Sequence, residues 1–273
     1  MSALRRAGRY WLPAYAALYV VFLYLPVLLL PLFSLNDSAT PKLPLAGFTW
    51  KWYGSLAGNR ELIDAAWNSL RVGLSVAVLS TLLGICAARA LTRYRFAGRR
   101  AMSGLIMAPL VLPEIIVAIS LLLVLLSAGL SLSLVTVALG HVLICIPYSM
   151  VVMMSGFEGF DRSLEEASAD LGETSFGTFR WVTLPMVAPA ILSSLLVSFT
   201  ISLDEFIVAF FLSGTEPTLP IYIWGQLRFA SRLPAVLALG TIMLVASFIL
   251  VTVAEMLRRR AARRTQTSGG LLA

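Results

Sequence analysis

The chain has 273 residues, of which 59% are hydrophobic and only 13% are charged, and its formal net charge is +7. Soluble domains contain roughly 25% charged residues, so this composition excludes a soluble globular domain and indicates a membrane protein. The arginines lie beside long apolar runs rather than on one basic face. This placement favours a role in membrane orientation over nucleic-acid binding.

Uncharged runs long enough to cross a hydrocarbon core of about 30 Å recur along the chain. The first follows three arginines and is longer than the apolar core of a cleaved signal peptide, so we interpret it as an uncleaved span. The pattern predicts an all-α membrane protein that forms a single transmembrane domain of six helices. Their approximate ranges are 11–33, 68–91, 102–126, 134–154, 186–212 and 234–256.

The connections between these spans differ in charge. Residues 34–66 contain several Pro and Gly residues and predict an exposed connection with one short helix near Glu61 to Trp67. We expect the last residues, 265–273, to be disordered. Of the 21 Lys and Arg residues, 15 fall on the side of the two termini and of the loop 158–185. The positive-inside rule therefore predicts that both termini and this loop are cytoplasmic.

The loop 158–185 is an acidic segment between two apolar spans, with six acidic residues from Glu158 to Glu173. Ser163 and Glu166 have the spacing of a capping box at a helix N-terminus, and Gly172 lies where a left-handed C-cap is expected. Leu164, Ala167 and Leu171 would form a narrow apolar stripe on that helix.

A second short helix is predicted to begin near Thr174 or Ser175 and to end before Pro185. Small side chains on the first helix would let another backbone approach closely. The pattern therefore favours a docking role for the segment, although a merely stabilised loop between spans is an alternative.

The segment resembles the EAA loop of ABC importer permeases, whose pattern is Glu-Ala-Ala, three residues, Gly, nine residues and Ile-x-Leu-Pro. The matching residues are Glu166, Ala167, Gly172, Leu184 and Pro185, whereas Ser168 and Val182 depart from the pattern. The resemblance implies a type I importer fold in which this segment is the coupling helix for a separate ATPase subunit. The residues to which it assigns this role are Glu165, Glu166, Ala167, Ser168, Asp170, Leu171, Gly172, Leu184 and Pro185.

Over nearly its whole length, the chain resembles permeases of the spermidine/putrescine (polyamine) importers, of the second-permease type. The resemblance is carried by Trp67-Asn68-Ser69-Leu70, Leu112-Pro113-Glu114-Ile115 and Ser202-Leu203-Asp204-Glu205, among other segments. One departure concerns the entry to the last span, where the family's Pro-Glu-x-Asn-Ala-Leu is replaced by Pro234-Ala235-Val236-Leu237-Ala238-Leu239.

The resemblance also implies a set of partners in the bacterial inner membrane. It implies two copies of an ABC ATPase subunit, which would bind ATP and Mg, a related second permease and an extracytoplasmic substrate-binding protein. The chain itself has no Walker A motif, because its only lysines, Lys42 and Lys51, are not followed by Ser or Thr. We therefore expect no cofactor and no enzymatic activity in this chain, and the surrounding membrane lipid as a further partner.

Three carboxylates fall within predicted spans: Glu114, Asp204 and Glu205. Such groups usually face a bundle interior or a wet cavity, so they are candidates for an acidic lining of the translocation pathway, with a structural role as the alternative. His141 is the only histidine, which excludes a histidine-based metal cluster, and we expect no metal site. Cys86 and Cys145 lie in apolar runs without metal-ligand spacing or a disulfide framework.

Other functions remain open on the residues. An ABC permease could carry a different small solute, such as an opine or an amino-acid-like compound. An ion-coupled secondary transporter would use Glu114 and Asp204 as proton sites, but such carriers typically show internal repeats, and none is evident here. An intramembrane serine protease is disfavoured because Ser155-Gly156 lacks the Gly-x-Ser-Gly setting. The sequence therefore favours a permease subunit of an ATP-driven importer for a small cation, with alternating access as its mechanism.

Overall fold

A computed structural model describes the backbone of residues 2–269 and the side chains of residues 11–249, 252 and 256. Helices make up most of this described backbone, and within it the single extended pairing is an isolated bridge between Asn36 and Phe48. The chain divides into two compact units. Glu61–Tyr222 forms the body of one, and the segment before Glu61 together with Ile223–Val253 forms the other.

Twelve α-helices lie within the described residues. They are α1 (Ser2–Ser34), α2 (Lys51–Ala57), α3 (Arg60–Arg93), α4 (Arg99–Val111), α5 (Glu114–Ser127), α6 (Leu134–Glu158), α7 (Ser163–Asp170), α8 (Ser175–Thr178), α9 (Leu184–Asp204), α10 (Ile207–Leu212), α11 (Leu219–Leu227) and α12 (Leu233–Gly269). A π-helical turn at Phe179–Thr183 joins α8 to α9, and a 3₁₀ turn at Ala230–Arg232 precedes α12.

Five stretches of helix are long and apolar enough to cross a membrane by themselves, and α4 with α5 makes a sixth candidate if the bent pair is one span. The five are Trp11–Ser34, Arg60–Arg93, Leu134–Glu158, Ser175–Asp204 and Ala230–Ile249. The helix containing the predicted span 68–91 already begins at Arg60, so the separate short helix expected near Glu61 to Trp67 is wrong. Its residues form the first two turns of α3.

The predicted third span, 102–126, is two helices with an angle of 108° between them. The break has a local cause at Pro113. A proline disfavours the helical conformation of the residue before it, and Leu112 accordingly has extended angles of φ −83° and ψ 143°. Pro113 then caps α5 from outside, so Glu114 is the first residue of a new helix rather than a mid-span residue.

The helix expected to end before Pro185 instead continues into the membrane span. Proline has no N–H to donate four residues back, and its ring clashes with the carbonyl at that position. The chain accommodates Pro185 through the π-helical turn, in which the N–H of Leu184 donates to the carbonyl of Phe179. As a result α8, the π-helical turn and α9 form one continuous helical run over 175–204.

The predicted fifth span, 186–212, is interrupted near its end. Helix α9 ends at Asp204, and Glu205 has an extended ψ of 114° before α10 begins at Ile207. The side chain of Glu205 accepts a 2.9 Å hydrogen bond from the N–H of Val208, which satisfies one of the free donors at the start of α10. The interruption is therefore stabilised by one of its own residues.

In the unit that contains the segment before Glu61, the connection after α1 is ordered around Asn36. This residue is 1% exposed, and its Oδ1 accepts a 2.9 Å hydrogen bond from the N–H of Ala46. Its carbonyl accepts from Trp52 Nε1 at 2.9 Å, and the hydroxyls of Ser34 and Tyr53 are 2.6 Å apart. Along α1 itself, large apolar side chains such as Phe22 are exposed, which suits a surface covered by lipid or by another subunit.

In the other unit, α6 and α9 pack through small and polar side chains. Ser149 Oγ and Ser194 Oγ are 2.7 Å apart, and Thr81 of α3 joins Ser194 at 3.0 Å. One turn further along, Cys145 faces the carbonyl of Ser198, and beyond it His141 Nδ1 lies 2.8 Å from Ser202 Oγ. Small residues at four-residue spacing allow two backbones to approach closely. Membrane helices associate through such close packing, because lipid tails are as apolar as the side chains and the hydrophobic effect does not drive the helices together.

Two apolar clusters flank this polar contact. One joins residues of α3, α5, α6 and α10, and the other joins the end of α3 with α6 and the base of α9. At the chain end, the part of the predicted disordered tail from residue 270 onward lies outside the described residues, while α12 extends to Gly269.

Candidate functional site

The acidic segment folds as a helix, a tight turn and a second helix. Helix α7 ends at Asp170, and Gly172, two residues later, has a φ of +87°. The N–H groups of Gly172 and Glu173 donate to the carbonyls of Ala169 and Ser168 at 2.9 and 3.2 Å. This pair of bonds is a Schellman motif, which needs a left-handed residue and so favours glycine. Thr174 then caps α8 by accepting from the N–H of Gly177.

The start of α7 differs from the predicted capping box. Ser163 is already inside the helix, because the carbonyl of Arg162 accepts the first helical bonds, from Glu165 and Glu166. The acceptor that begins the helix is Asp161, whose Oδ1 lies 2.9 Å from the N–H of Ser163. The predicted box is therefore wrong by two residues, and an Asx turn replaces it.

Helix α7 presents an uncovered apolar surface. None of its residues is buried, and Leu164 is 43% exposed. Just beyond the helix, Leu171 is 88% exposed and Phe176 is 71% exposed. Glu166, Ala167 and Asp170 are also exposed. Large apolar side chains that are exposed on a charged helix and directly after it are typical of a surface that another protein covers.

The two adjacent glutamates of α7 have different surroundings. Glu166 forms an exposed ion pair with Arg162, with Nε and Oε1 3.2 Å apart. Glu165 instead forms an ion pair with Arg93 at the end of α3, with Nε and Oε2 2.8 Å apart. Its other oxygen, Oε1, accepts a 2.7 Å hydrogen bond from the hydroxyl of Thr183.

The other expected residues of the segment have contacts that fix its shape. Ser168 Oγ lies 3.0 Å from the hydroxyl of Thr178, so it ties α7 to α8. Leu184 and Pro185 begin α9 directly after the π-helical turn. The end of α3, α7 and α8 surround a cavity of about 270 Å³ that is lined by both ion pairs. The nine residues assigned to the coupling role thus lie on one connected substructure.

The three carboxylates of the predicted spans separate into two environments. Glu114 and Asp204 are exposed in the single chain, whereas Glu205 is buried and bonded to the N–H of Val208. Glu114 lines a cavity of about 410 Å³ beside Pro113 and Tyr148, at the break between α4 and α5. An exposed carboxylate facing lipid would be costly, so the positions of Glu114 and Asp204 fit a wet surface better than a lipid-facing one.

A further cavity, of about 520 Å³, lies at the other end of α3. Its walls carry the carboxylates of Glu61, Asp64 and Glu216 and the rings of Trp67 and Tyr222. The α3 residues that line this cavity extend to Arg71, so at 1.5 Å per residue the helix from there to Arg93 is about 33 Å long. That length is comparable to a hydrocarbon core of about 30 Å.

Among the described residues, no group of three or more His, Cys, Asp and Glu side chains could hold a metal ion. His141 is 1% exposed and bonded to Ser202 within the helix bundle, as a packed imidazole would be.

Sequence patterns did not identify two partners of Glu165. In the sequence, Arg93 is one of several basic residues in the stretch after the second predicted span, and Thr183 occupies a position that the EAA pattern leaves undefined. Arg93 also donates to the carbonyl of Phe157 at 2.9 Å. Their contacts join positions 72 and 18 residues from Glu165, a separation that no local pattern encodes.

The sequence profile of the family described as "Binding-protein-dependent transport system inner membrane component" matches residues 80–263. The chain is 38% identical over 248 residues to the spermidine/putrescine transport system permease protein PotC of Haemophilus influenzae, covering 90% of this chain and 96% of that protein. It is 37% identical over 251 residues to the putrescine transport system permease protein PotI of Escherichia coli, covering 89% of each chain.

Solved structures share the fold. A chain of a bacterial ABC transporter involved in the import of the acidic polysaccharide alginate superposes with a TM-score of 0.72 at 18% identity, covering 90% of this chain and 97% of that one. A chain of the MetNI methionine ABC transporter in an inward-facing conformation has a TM-score of 0.61 at 16% identity, covering 73% of this chain and 95% of that one. The expected all-α importer-permease fold is confirmed by these neighbours.

Proposed function

Because this chain belongs to the family of binding-protein-dependent transport system inner membrane components, we propose that it is the permease subunit of an ATP-driven importer for a polyamine. The solute would be spermidine or putrescine, the cargo named for the relatives that are 35–38% identical over about nine-tenths of the chain. The chain would lie in the bacterial inner membrane with both termini and the acidic segment on the cytoplasmic side, as the distribution of Lys and Arg supports.

The observation that carries this proposal is the acidic segment itself. An Asx turn precedes its first helix, a Schellman motif ends that helix, and the side chains of Leu164 and Leu171 are 43% and 88% exposed. A rigid helix with an uncovered apolar stripe suits a groove on a partner protein. The chain has no Walker A lysine, so ATP and Mg would be bound by that partner, a separate ATPase subunit present in two copies.

The pathway carboxylates support a second permease. Glu114 and Asp204 are exposed on helices of a membrane protein, and a related subunit that faces them would enclose the two charges in a wet pathway. Their negative charge would offset the charge of an amine cation as it leaves water. Glu205 would contribute less directly, because it is buried and holds the start of α10.

The mechanism we infer is alternating access. A loaded extracytoplasmic binding protein would dock at the outer end of the permease pair, near the acidic cavity around Glu61, Asp64 and Glu216. ATP binding would close the two ATPase subunits. The segment around Glu166 would transmit that closure to the helices that flank it, because α7 is tied to α3 and α9 by Glu165.

The test is uptake of labelled spermidine and putrescine into cells that lack their own importers and express this chain with its neighbouring subunits, with and without ATP depletion. We expect ATP-dependent accumulation. The control is Glu166→Arg combined with Gly172→Pro, which reverses an exposed charge and forbids the left-handed turn. This double variant should insert into the membrane normally, and its amine uptake should be at least about tenfold lower than that of the wild type. Each 1.4 kcal/mol of lost coupling free energy corresponds to about a tenfold decrease.

Three results would contradict the proposal in different ways. Uptake that follows the proton gradient rather than ATP would remove the role of the acidic segment and favour a secondary transporter. Uptake of neither amine would reject the polyamine cargo and direct attention to Ala235, which stands where the polyamine family carries an acid. Wild-type uptake by the double variant would reject coupling through α7.

A further inference from the structure

Arg93 connects three helices, α3, α6 and α7, at the cytoplasmic end proposed for α3. It is the last residue of α3, and its Nη2 donates a 2.9 Å hydrogen bond to the carbonyl of Phe157, in the last turn of α6. The final carbonyls of a helix lack partners inside the helix, so this bond satisfies one of them and places a positive charge at the negative end of the helix dipole. The guanidinium also lies 4.7 Å from the ring centroid of Phe160.

Glu165 completes the connection. Its Oε2 is the partner of Arg93, and its Oε1 accepts from the hydroxyl of Thr183, the last residue of the π-helical turn. Thr183 is fully buried. Both carboxylate oxygens of Glu165 are thus engaged within the chain, one toward α3 and one toward the base of α9.

The pair is shielded from solvent. The side chains of Arg93 and Glu165 are 13% and 16% exposed, whereas both side chains of the neighbouring Arg162–Glu166 pair are 65% exposed. Exposed pairs contribute little because water screens them and their side chains are free to move. A shielded pair with further hydrogen bonds interacts more strongly, and removal of one partner leaves the other charge without compensation.

We propose that Arg93 and Glu165 form an internal brace that makes α7 move as one body with α3, the end of α6 and the base of α9. The inference rests on the proposed function and assigns the two glutamates of α7 distinct tasks. Glu166 lies on the exposed surface of α7, whereas Glu165 is a positioning residue that couples movement of α7 to α3 and to the base of α9. Adjacent helical residues point about 100° apart, which is why neighbours in sequence reach such different surroundings.

The brace is tested first without transport, by hydrogen exchange of the amides of α7 in the assembled complex. Arg93→Met should raise the exchange of these amides roughly tenfold, because the ion pair and the bond to Phe157 are both lost. Arg93→Lys keeps a positive charge and should retain most of the protection. Arg95→Met, two residues away at an exposed position of the same loop, is the matched control and should leave α7 unchanged.

The second measurement is the ratio of amine transported to ATP hydrolysed in proteoliposomes, for Arg93→Met, Glu165→Gln and the double variant. The brace predicts a ratio lower by about tenfold in each single variant, with the ATPase subunit still bound. Because both changes break the same contact, the double variant should be no worse than the more severe single one. In Glu165→Gln, the amide oxygen can still accept the hydrogen bond from the hydroxyl of Thr183, so we expect this variant to fold.

Specific results would overturn the brace. Unchanged exchange in Arg93→Met would show that the pair does not hold α7. Additive losses in the double variant, or loss of the ATPase subunit in Glu165→Gln alone, would place Glu165 on the docking surface instead. A wild-type complex without ATP-dependent uptake would reject the proposed function, whereas the exchange experiment decides the brace independently of it.

Discussion

At the residue scale, single polar side chains decide how the acidic segment begins and ends. Asp161 starts α7 by accepting from the N–H of Ser163, and the hydrogen bonds that Ser163 donates lower the pKa of the Asp161 carboxyl. Gly172 ends the same helix with a φ of +87°. A helix of eight residues is too short to be stable by itself, so these two caps and the bonds of Glu165 determine whether it forms.

Asp161→Ala should loosen α7. Loss of a helix-initiating acceptor should make the amides over 163–170 exchange roughly fivefold faster. Asp161→Asn keeps the acceptor and should stay close to wild type. Equal exchange in the two variants would show that the carboxyl is not the cap.

The Asp161 carboxyl should also make the stability of α7 decrease at acidic pH. Its pKa is lower in the folded protein, so its contribution is fully present above the ordinary value of 3.8 and is lost as the pH falls through the lowered value. Protection of α7 should therefore decline at low pH in the wild type. The Asp161→Asn variant does not titrate at this position, and its protection should lack that part of the decline.

At the element scale, prolines determine where the spans bend. Pro113 divides the third predicted span into α4 and α5, and Pro185 produces the π-helical turn between α8 and α9. The turn lies between the acidic segment and the membrane part of the helix, and its last residue, Thr183, contacts Glu165. The angular position of α7 relative to α9 therefore depends on this one irregularity.

Pro185→Ala should convert the π-helical turn to regular α-helix. A π-helical turn holds one extra residue within the path of an α-helix, so its conversion at constant chain length rotates α8 relative to α9 by about 100° and lengthens the run by about 1.5 Å. We expect the protein to fold, since Ala is a good helix former, but the ratio of amine transported to ATP hydrolysed should fall roughly tenfold.

Pro189→Ala is the matched control, because Pro189 lies inside α9 without a π-helical turn. Its transport ratio should remain near that of the wild type. A normal ratio in Pro185→Ala would mean that the register of α8 against α9 does not matter for coupling.

At the scale of the whole molecule, several surfaces of this chain are left uncovered by its own described residues. Helix α1 exposes apolar side chains, Leu171 is exposed directly after α7, and Glu114 and Asp204 are exposed on apolar helices. Each surface fits one of the proposed neighbours: lipid or a second permease, the ATPase subunit, and the wet pathway. The chemistry of the exposed groups on each surface is the basis for assigning it a neighbour.

Glu114→Gln and Asp204→Asn should raise the KM for spermidine uptake by about threefold to tenfold each, because each variant removes one negative charge from the proposed pathway. Glu205→Gln should change the KM less, since Glu205 is buried and its main contact is the N–H of Val208. Uptake kinetics in cells with equal amounts of inserted permease would measure the three values. A larger effect for Glu205 than for the other two would reverse the assignment of pathway and structural roles.

Much of the fold was predictable because its causes are local. Apolar runs identify spans wherever lipid is the solvent, and the spacing of Glu166, Ala167, Gly172, Leu184 and Pro185 identified a family that the comparisons confirm. The left-handed Gly172 was also predictable, since a glycine after a capped helix has few other uses. The roles of the coupling and pathway residues stay predictions.

The sequence by itself therefore determined the class of protein and the place of the acidic segment, because hydropathy, charge and cap residues act over a few turns of chain. Only the tertiary structure decided that α3 begins at Arg60, that the predicted third span consists of two helices that meet at Pro113, and that Asp161 rather than Ser163 supplies the first side-chain acceptor of α7. It alone joined Glu165 to Arg93 and Thr183. Contacts between residues far apart in sequence depend on how whole helices pack, and packing geometry has no local signature.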